Sequence, residues 1–450
     1  MPMSKRFFYG CVVSALGVNL FLGAMSYQRV NAAEREDAYS SLKLFSTVLE
    51  RVRQDYVDGD RVSYDQLINA ALRGMISQLD PHSEFMEPTK YDDLKKDTSG
   101  EFGGVGIVVA IKDGAVTVVA PMEDGPGAKA GILTGDRITR IEGRPTDRFA
   151  INDAVKLLRG EVGTPVTITV YRPSTEQTKD YKLVRAAIKV DTVKDVNGHR
   201  EFPLLDNRIA YIRLNQFGEH THEEFEAAWK KIEPRQPAAL ILDLRGNPGG
   251  LLDTAVKIVE RFVPRGTVIV STEGRDAAKK SEYRASGPSR FIDLPIVVLV
   301  NGGSASASEI VSGALQDLTV KGKCRAIILG EQSFGKGSVQ SILPLQGGAA
   351  LKLTTAKYYT PSHKVIHERG ITPDIVVPQS DEDDRDLAVQ RSPGGLESLD
   401  DAERARVAAV RDGQLDRAID LLKGLSIYGK PRDLQTAPEK PEKRDKVASR

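Results

Sequence analysis

The run Ile296-Val297-Val298-Leu299-Val300 passes directly into Asn301 to Glu309, which read N-G-G-S-A-S-A-S-E. A short apolar run closed by glycine and serine reads as a buried strand that turns into a helix. Ser306 lies on that turn, and Ala305 and Ala307 leave space beside it for an acyl group. A helix beginning near Ser306 and running through Ala314 has unpaired first N–H groups that can face a developing oxyanion, and Ala307 is the natural donor.

Further along, Ser333 to Gln340 read S-F-G-K-G-S-V-Q, with Lys336 between two glycines and Gln340 shortly after it. A serine hydroxyl is a weak nucleophile until a neighbour takes its proton, and an amine can do so only when neutral. A free lysine titrates near about 10.4, so the site must desolvate Lys336 or set a second cation beside it. The flanking glycines let the chain pass close to a packed wall and carry the amine inward. Taken singly, the first segment is more simply a helix cap and the second a solvated turn. Together they are the parts of a Ser/Lys nucleophilic pair.

A third segment supports acyl transfer. The apolar run Ala239 to Leu242 leads into D-L-R-G-N-P-G-G at Asp243 to Gly250, read as a buried strand, a glycine-rich turn and then a helix. Exposed N–H groups in such a turn can line an oxyanion hole, with Gly250 the best placed, although a plain strand-to-helix connection has the same pattern. A nucleotide-binding alternative comes from G-x-x-x-x-G-K at Gly330 to Lys336 and the Walker-B-like run Ala238 to Asp243. It fails where Ser or Thr must follow the lysine, because Gly337 stands there.

In this order the three blocks resemble those of the C-terminal processing peptidases, the tail-specific Ser/Lys proteases. Thr354 to Ser362 and Gly370 to Ile375 also fit, and the likeness runs from about Tyr39 to about Val377. The resemblance implies an α+β multidomain chain: a crotonase/ClpP-like α/β protease core at 188–380, an inserted PDZ domain at 98–187, an N-terminal helical region at 33–97 and a C-terminal one at 381–430. It implies Ser306 as nucleophile, Lys336 as general base, Gln340 as the residue orienting the lysine, and Gly250 and Ala307 as oxyanion donors, with no cofactor or metal. Two departures stand out. Leu318 to Gly322 looks like a short insertion lengthening a surface connection, and His363 sits where the family usually has glycine.

Phe102-Gly103-Gly104-Val105-Gly106-Ile107 is similar to the PDZ loop whose successive N–H groups hold a terminal carboxylate. Ala128 to Ile132 and Gly135 to Ile138 continue the match. A peptide tail would add as a strand beside Ile107 to Ala110, with Ile151, Val155 and Leu158 of a short helix lining the apolar pocket. Gly104, Val105, Gly106 and Ile107 are the expected carboxylate cradle. The combined reading is an endopeptidase that captures apolar free C-termini and cleaves through an acyl-enzyme. A non-catalytic PDZ scaffold is the rival, but it would not need Ser306, Lys336 and Gln340 together.

Composition sets outer limits. A chain of 450 residues, 40% hydrophobic, can bury several cores, so two or three domains are expected. Sixty-three basic residues against 62 acidic ones leave a net charge of +1, which gives no case for nucleic acid. Cys11 and Cys324 imply neither a disulfide framework nor a cysteine metal site. Lys5 and Arg6 precede the uncharged run Phe7 to Tyr27 and the small-residue pattern Val30-Asn31-Ala32, so residues 1–32 read as an export signal or a single membrane anchor. The run is long for a cleaved signal and just long enough to span, and both outcomes stay open. Either way the catalytic part is expected in the periplasm or otherwise outside the cytoplasm.

Apolar residues Leu42, Leu44, Phe45, Val48 and Leu49 recur at mostly helical spacing, as do Ile68 to Leu79, and such a face could pair two copies of the chain. An adaptor protein is a further expected partner class. His220-Thr221-His222 with Glu223 and Glu224 suggests metal only weakly and more simply begins a helix after the strand Ile209 to Leu214. A helical stretch is expected near Ala402 to Leu425, and residues 431–450, rich in Lys, Glu and Pro, are expected to be disordered.

Overall fold

The computed structural model describes residues 38–428, apart from residues 113, 123–124, 207, 277–279 and 393–394. The export signal or anchor read at 1–32 and the tail read at 431–450 lie outside the described residues. Among the described residues no helix is long and apolar enough to cross a membrane. The chain divides into two units, Met1–Glu87 and Pro88–Arg450.

In the first unit residues 38–55 are helical and a second helix covers Tyr64–Ser77. Ser63 caps the second helix, its hydroxyl accepting from Gln66 N–H at 3.3 Å. The apolar stripe read from the sequence is exposed at Leu42, Leu44, Phe45 and Val48.

The second unit opens with the helix Pro88–Ser99. Glu101–Gly104 then pairs antiparallel with Ala186–Lys189, closing the base of the region read as a PDZ domain. Within that frame lie β1 (Ile107–Lys112), β2 (Ala115–Pro121), β3 (Arg137–Ile141), α1 (Ile151–Leu158), β4 (Pro165–Arg172) and β5 (Gln177–Val184). Their sheet order is β1-β2-β3-β4-β5, so one edge of β1 is unpaired within this sheet. Val116, Val118, Ile138, Ile141, Val166, Ile168 and Val170 fill the core beneath it.

The second core is built on a mainly parallel sheet. In chain order come β6 (Ile209–Leu214), α2 (Thr221–Ile232), β7 (Ala239–Asp243), α3 (Leu252–Val259), β8 (Val268–Gly274), β9 (Ile296–Val300), α4 (Ala307–Val320), β10 (Ala326–Gly330), β11 (Ser338–Pro344) and β12 (Ala350–Tyr359). β6, β7, β9 and β10 run parallel, with Ile375–Val376 parallel on one edge and Val193–Lys194 antiparallel on the other. β7 and β9 are buried at every residue, as parallel strands covered on both faces must be. β11, β12, β8 and Ser281–Arg284 form an antiparallel layer.

α4 continues six residues beyond Ala314, because Leu315 and Leu318 extend its buried stripe. Leu318 to Gly322, read as a lengthened surface connection, is instead the end of this helix and its cap, with Leu318 in the core. After the core come α5 (Asp381–Arg391), a helix at Asp401–Ala409, and α6 (Gly413–Tyr428). The helical stretch expected near 402–425 is two helices. The break falls at Asp412, whose carboxylate accepts from Leu415 N–H at 3.0 Å and starts α6 afresh. Leu415, Ala418 and Leu422 of α6 pack with Tyr211, Ile241, Val297 and Leu299 on one face of the parallel sheet.

Candidate active site

β7 and β9 are neighbours in register, Asp243 beside Leu299, so the turns that follow them leave the same end of the sheet together. Ligand and catalytic sites of parallel sheets gather at this end. The two turns are stitched by polar bonds. Ser304 Oγ donates to Leu244 O at 2.8 Å, Ser308 Oγ donates to Asn247 O at 2.9 Å, and Ala305 N–H donates to the same carbonyl at 3.0 Å. Ser304 and Ser308 therefore serve as fasteners.

Between them Ser306 sits with φ 54° and ψ −110°, a left-handed backbone that costs a non-glycine residue of order 1–3 kcal/mol. Gly249, at φ +99°, makes the close approach of the turns feasible. A Cβ there would lie 2.8 Å from Ser306 Cβ and 2.9 Å from Ala307 N. Gly250 is pressed under Phe217 in the same way, where a Cβ would meet the Phe217 carbonyl oxygen at 2.2 Å. Its neighbours bond that residue, Phe217 N–H donating to Gly249 O and Leu251 N–H to Phe217 O. Among the described residues, neither the Gly250 N–H nor the Ala307 N–H has a hydrogen-bond acceptor.

The lysine loop runs from β10 to β11, and the strand that follows is a further reason to reject the nucleotide reading, since a phosphate loop must open a helix. Phe334 N–H donates to Ser304 O at 3.0 Å. Glu309, on the first turn of α4 and fully buried, completes the link. Its carboxylate accepts from Ser306 N–H at 2.7 Å, Gly335 N–H at 2.6 Å, Lys336 N–H at 2.9 Å and Ser333 Oγ at 2.6 Å. A buried carboxylate persists when several donors replace its water, and here those donors come from both segments singled out in the sequence.

Lys336 is half-buried, and its ammonium is made more acidic by desolvation first and by the charge of Lys352 second, with Glu309 opposing both. Both means of producing a neutral amine are thus present. Among the described residues its Nζ forms no hydrogen bond or ion pair, with Ser306, Gln340 or any other group. Gln340 sits at a β-bulge in the pairing of β11 with β12, and its Nε2 donates to Ser338 Oγ at 2.9 Å and Thr354 Oγ1 at 3.4 Å. The structure therefore joins the serine and lysine segments through their backbones and leaves the side chains of Ser306, Lys336 and Gln340 unbonded to one another.

Behind the site, Asp243 is fully buried. Burial raises its pKa, but Arg245 and Arg213 outweigh that and hold it well below the usual carboxylate range. Arg245 Nη2 donates to it at 2.6 Å and the Tyr211 hydroxyl at 2.6 Å. His363, at φ 60°, adopts the backbone that glycine would supply, its ring stacked on Tyr359 at 4.5 Å and its Nε2 2.8 Å from Glu273 Oε1. His220 and His222 sit at the start of α2 as expected, and no cluster suited to a metal occurs among the described residues.

In the other part of the second unit a groove lies between β1 and α1. Gly104, Val105, Gly106 and Ile107 form one wall, and Val155 and Leu158 the other, while Ile151 is not among its lining residues. Arg159 also lines this groove, its guanidinium 4.1 Å from the Phe102 ring. Arg159, Glu309 and Lys352 were not singled out from the sequence. Only Glu309 carried a local signal, an acidic residue three positions after a serine at a helix start.

Residues 208–377 match Peptidase family S41 and residues 117–172 match the PDZ domain family. A carboxy-terminal-processing protease of Bartonella bacilliformis is 45% identical over 357 residues, covering 78% of each chain. The carboxy-terminal processing protease CtpB of Bacillus subtilis is 31% identical over 389 residues, covering 82% of this chain and 78% of its own. Among solved structures, an S41 protease from Bacteroides fragilis superposes with a TM-score of 0.50 at 15% identity, covering 84% of this chain and 97% of that one, a likeness of fold.

Proposed function

The chain belongs to Peptidase family S41, as a PDZ-containing serine protease of the carboxy-terminal-processing kind, and from that premise we propose that Ser306 is its nucleophile and Lys336 its general base. The neutral Lys336 amine takes the Ser306 hydroxyl proton as Oγ attacks the scissile carbonyl carbon. The resulting oxyanion is received by the N–H groups of Gly250 and Ala307. Collapse expels the amine, protonated by the Lys336 ammonium, and leaves an acyl-enzyme. Water then attacks the ester with Lys336 again as base, restoring Ser306. Gln340, bonded through its amide nitrogen to two hydroxyls, keeps its oxygen end for the Lys336 amine and orients it.

The observation that carries this reading is Glu309, one buried carboxylate that binds the N–H of Ser306 and the N–H of Lys336. Substrates are proteins or peptides with free, apolar C-termini. The tail adds as a strand along the open edge of β1, its side chain between Val155 and Leu158, with its carboxylate towards the Gly104–Ile107 loop and Arg159. The charge pattern of residues 1–32 supports an extracytoplasmic site of action, cleaved free or anchored.

Ser306→Ala and Lys336→Ala are each expected to abolish cleavage while leaving the melting temperature within a few degrees of wild type. Mass spectrometry of fragments from peptides with free and amidated C-termini reads the outcome. Undiminished turnover in folded Lys336→Ala would remove the proposed base, and equal turnover of free and amidated peptides would remove the PDZ step.

A further inference from the structure

The helices at 381–428 lie beyond the residues that match family S41, yet their polar groups end on both catalytic turns. Arg245 is the first point of contact, its side chain 4% exposed. Its Nη1 and Nη2 donate to Asp412 Oδ1 and Oδ2, each at 2.8 Å, a paired-fork geometry. Its Nε donates to Asp243 Oδ1 at 3.0 Å and its Nη1 to Gln414 Oε1 at 3.1 Å. Asp412 also meets the guanidinium of Arg391 on α5, and Gln414 donates to Val377 O at 2.8 Å.

Asn301 is the second point. Its Oδ1 accepts from Gly246 N–H at 2.8 Å and Gly303 N–H at 3.1 Å, one from each turn, while its Nδ2 donates to Asp384 Oδ2 on α5 at 3.2 Å. The packing of Leu415, Ala418 and Leu422 already holds α6 against the sheet, so retention of the segment does not require these ionic contacts. What they add is direction. Asp243, Arg245, Asp412 and Arg391 alternate in sign through the interior, and loss of one leaves its neighbours as buried charges without a partner.

We propose that Asp412, at the start of α6, is a positioning residue that acts through Arg245 to fix the 244–250 turn and the aim of its Gly250 N–H. The proposal rests on the reading of Gly250 as an oxyanion donor. Removing one such donor costs roughly 10²–10³-fold in kcat, and a turn that has lost its contact with Asp412 but keeps its other bonds is expected to lose less, roughly 10- to 100-fold. Peptide cleavage by the full chain is measured in Asp412→Asn, Asp412→Glu, Leu422→Ala and Ser306→Ala, with the melting temperature of each.

The expected result is a fall in kcat at unchanged KM in Asp412→Asn, a smaller fall in Asp412→Glu, which keeps a charged partner, and wild-type kcat below its melting point in Leu422→Ala. Wild-type kcat in folded Asp412→Asn overturns the proposal, as does an equal fall in kcat in Leu422→Ala destabilised to the same degree. Should Asp412→Asn not fold, Asp412→Glu decides: several-fold lower kcat at constant KM supports the proposal and unchanged kcat ends it. Activity in Ser306→Ala would instead show that the active-site reading itself is at fault.

Discussion

The two candidate sites of the second unit are built on opposite principles. The turns that carry Gly250 and Ser306 are crowded and polar inside: a fully buried glutamate, a buried Asp–Arg pair, a strained serine and backbone approaches closer than a Cβ allows. The groove between β1 and α1 is apolar and open, with one strand edge left without a partner in its sheet. Bond cleavage needs donors fixed before charge develops, so a site with the proposed catalytic role gives up conformational freedom. Capture of varied peptide ends needs only main-chain pairing and a hydrophobic hole. Substitutions in the first region should therefore act on kcat and those in the second on KM.

The sharpest test of that division is Gly249→Ala. A methyl group there meets the Ala305 carbonyl oxygen at 2.7 Å, Ser306 Cβ at 2.8 Å and Ala307 N at 2.9 Å, on a backbone at φ +99°. Backbone must shift on one side or the other, and both sides carry a proposed oxyanion donor. A loss of roughly 10²–10³ in kcat at near-constant KM is expected. Full activity in this variant would mean that the turns do not need their close contact, and the contrast between the regions would fail at its stronger end.

What could be read from the sequence divides along the same line. Turns announce themselves locally, so Gly250, Ser306, Ala307 and Lys336 were all singled out from glycine, serine and flanking apolar runs, and β6 was placed at its observed bounds. Partners that meet only on folding left little trace. Glu309 binds groups up to Lys336, and Arg245 binds Asp412, 167 positions away. No pattern of period 2 or 3.6 encodes such pairings. Lys352 was missed for a related reason, since its effect on Lys336 depends on how β12 folds back beside β11. The end of α4 was misplaced because its buried stripe continues through residues that looked like an insertion.

A second substitution probes the open groove. Val155→Asp sets a charge in the apolar wall, facing a loop read as a carboxylate cradle. Desolvating it and repelling the tail should cost about 1–3 kcal/mol of binding, seen as roughly 10-fold or greater loss in kcat/KM carried by KM. Cleavage of an amidated peptide should change little. A fall in kcat with KM unchanged would show that this groove works on the chemistry and not on capture alone.

The mildest test reaches back into the catalytic region through a charge that touches neither proposed turn. Lys352 acts against protonation of Lys336, second only to burial. The proposed base must be neutral, so activity rises with pH through the Lys336 pKa, and anything that lowers this pKa carries activity to lower pH. Lys352→Gln removes one lowering influence and leaves burial in place. The acid limb of kcat/KM should accordingly move to higher pH, with the plateau rate kept. Lys357→Gln, on the same strand but not among the charges acting on Lys336, should leave the limb where it is. Added salt screens one cation from another, so the wild-type limb should move upward with ionic strength while that of Lys352→Gln stays closer to constant. A limb that ignores both the substitution and the salt would leave burial as the sole cause of the lowered Lys336 pKa.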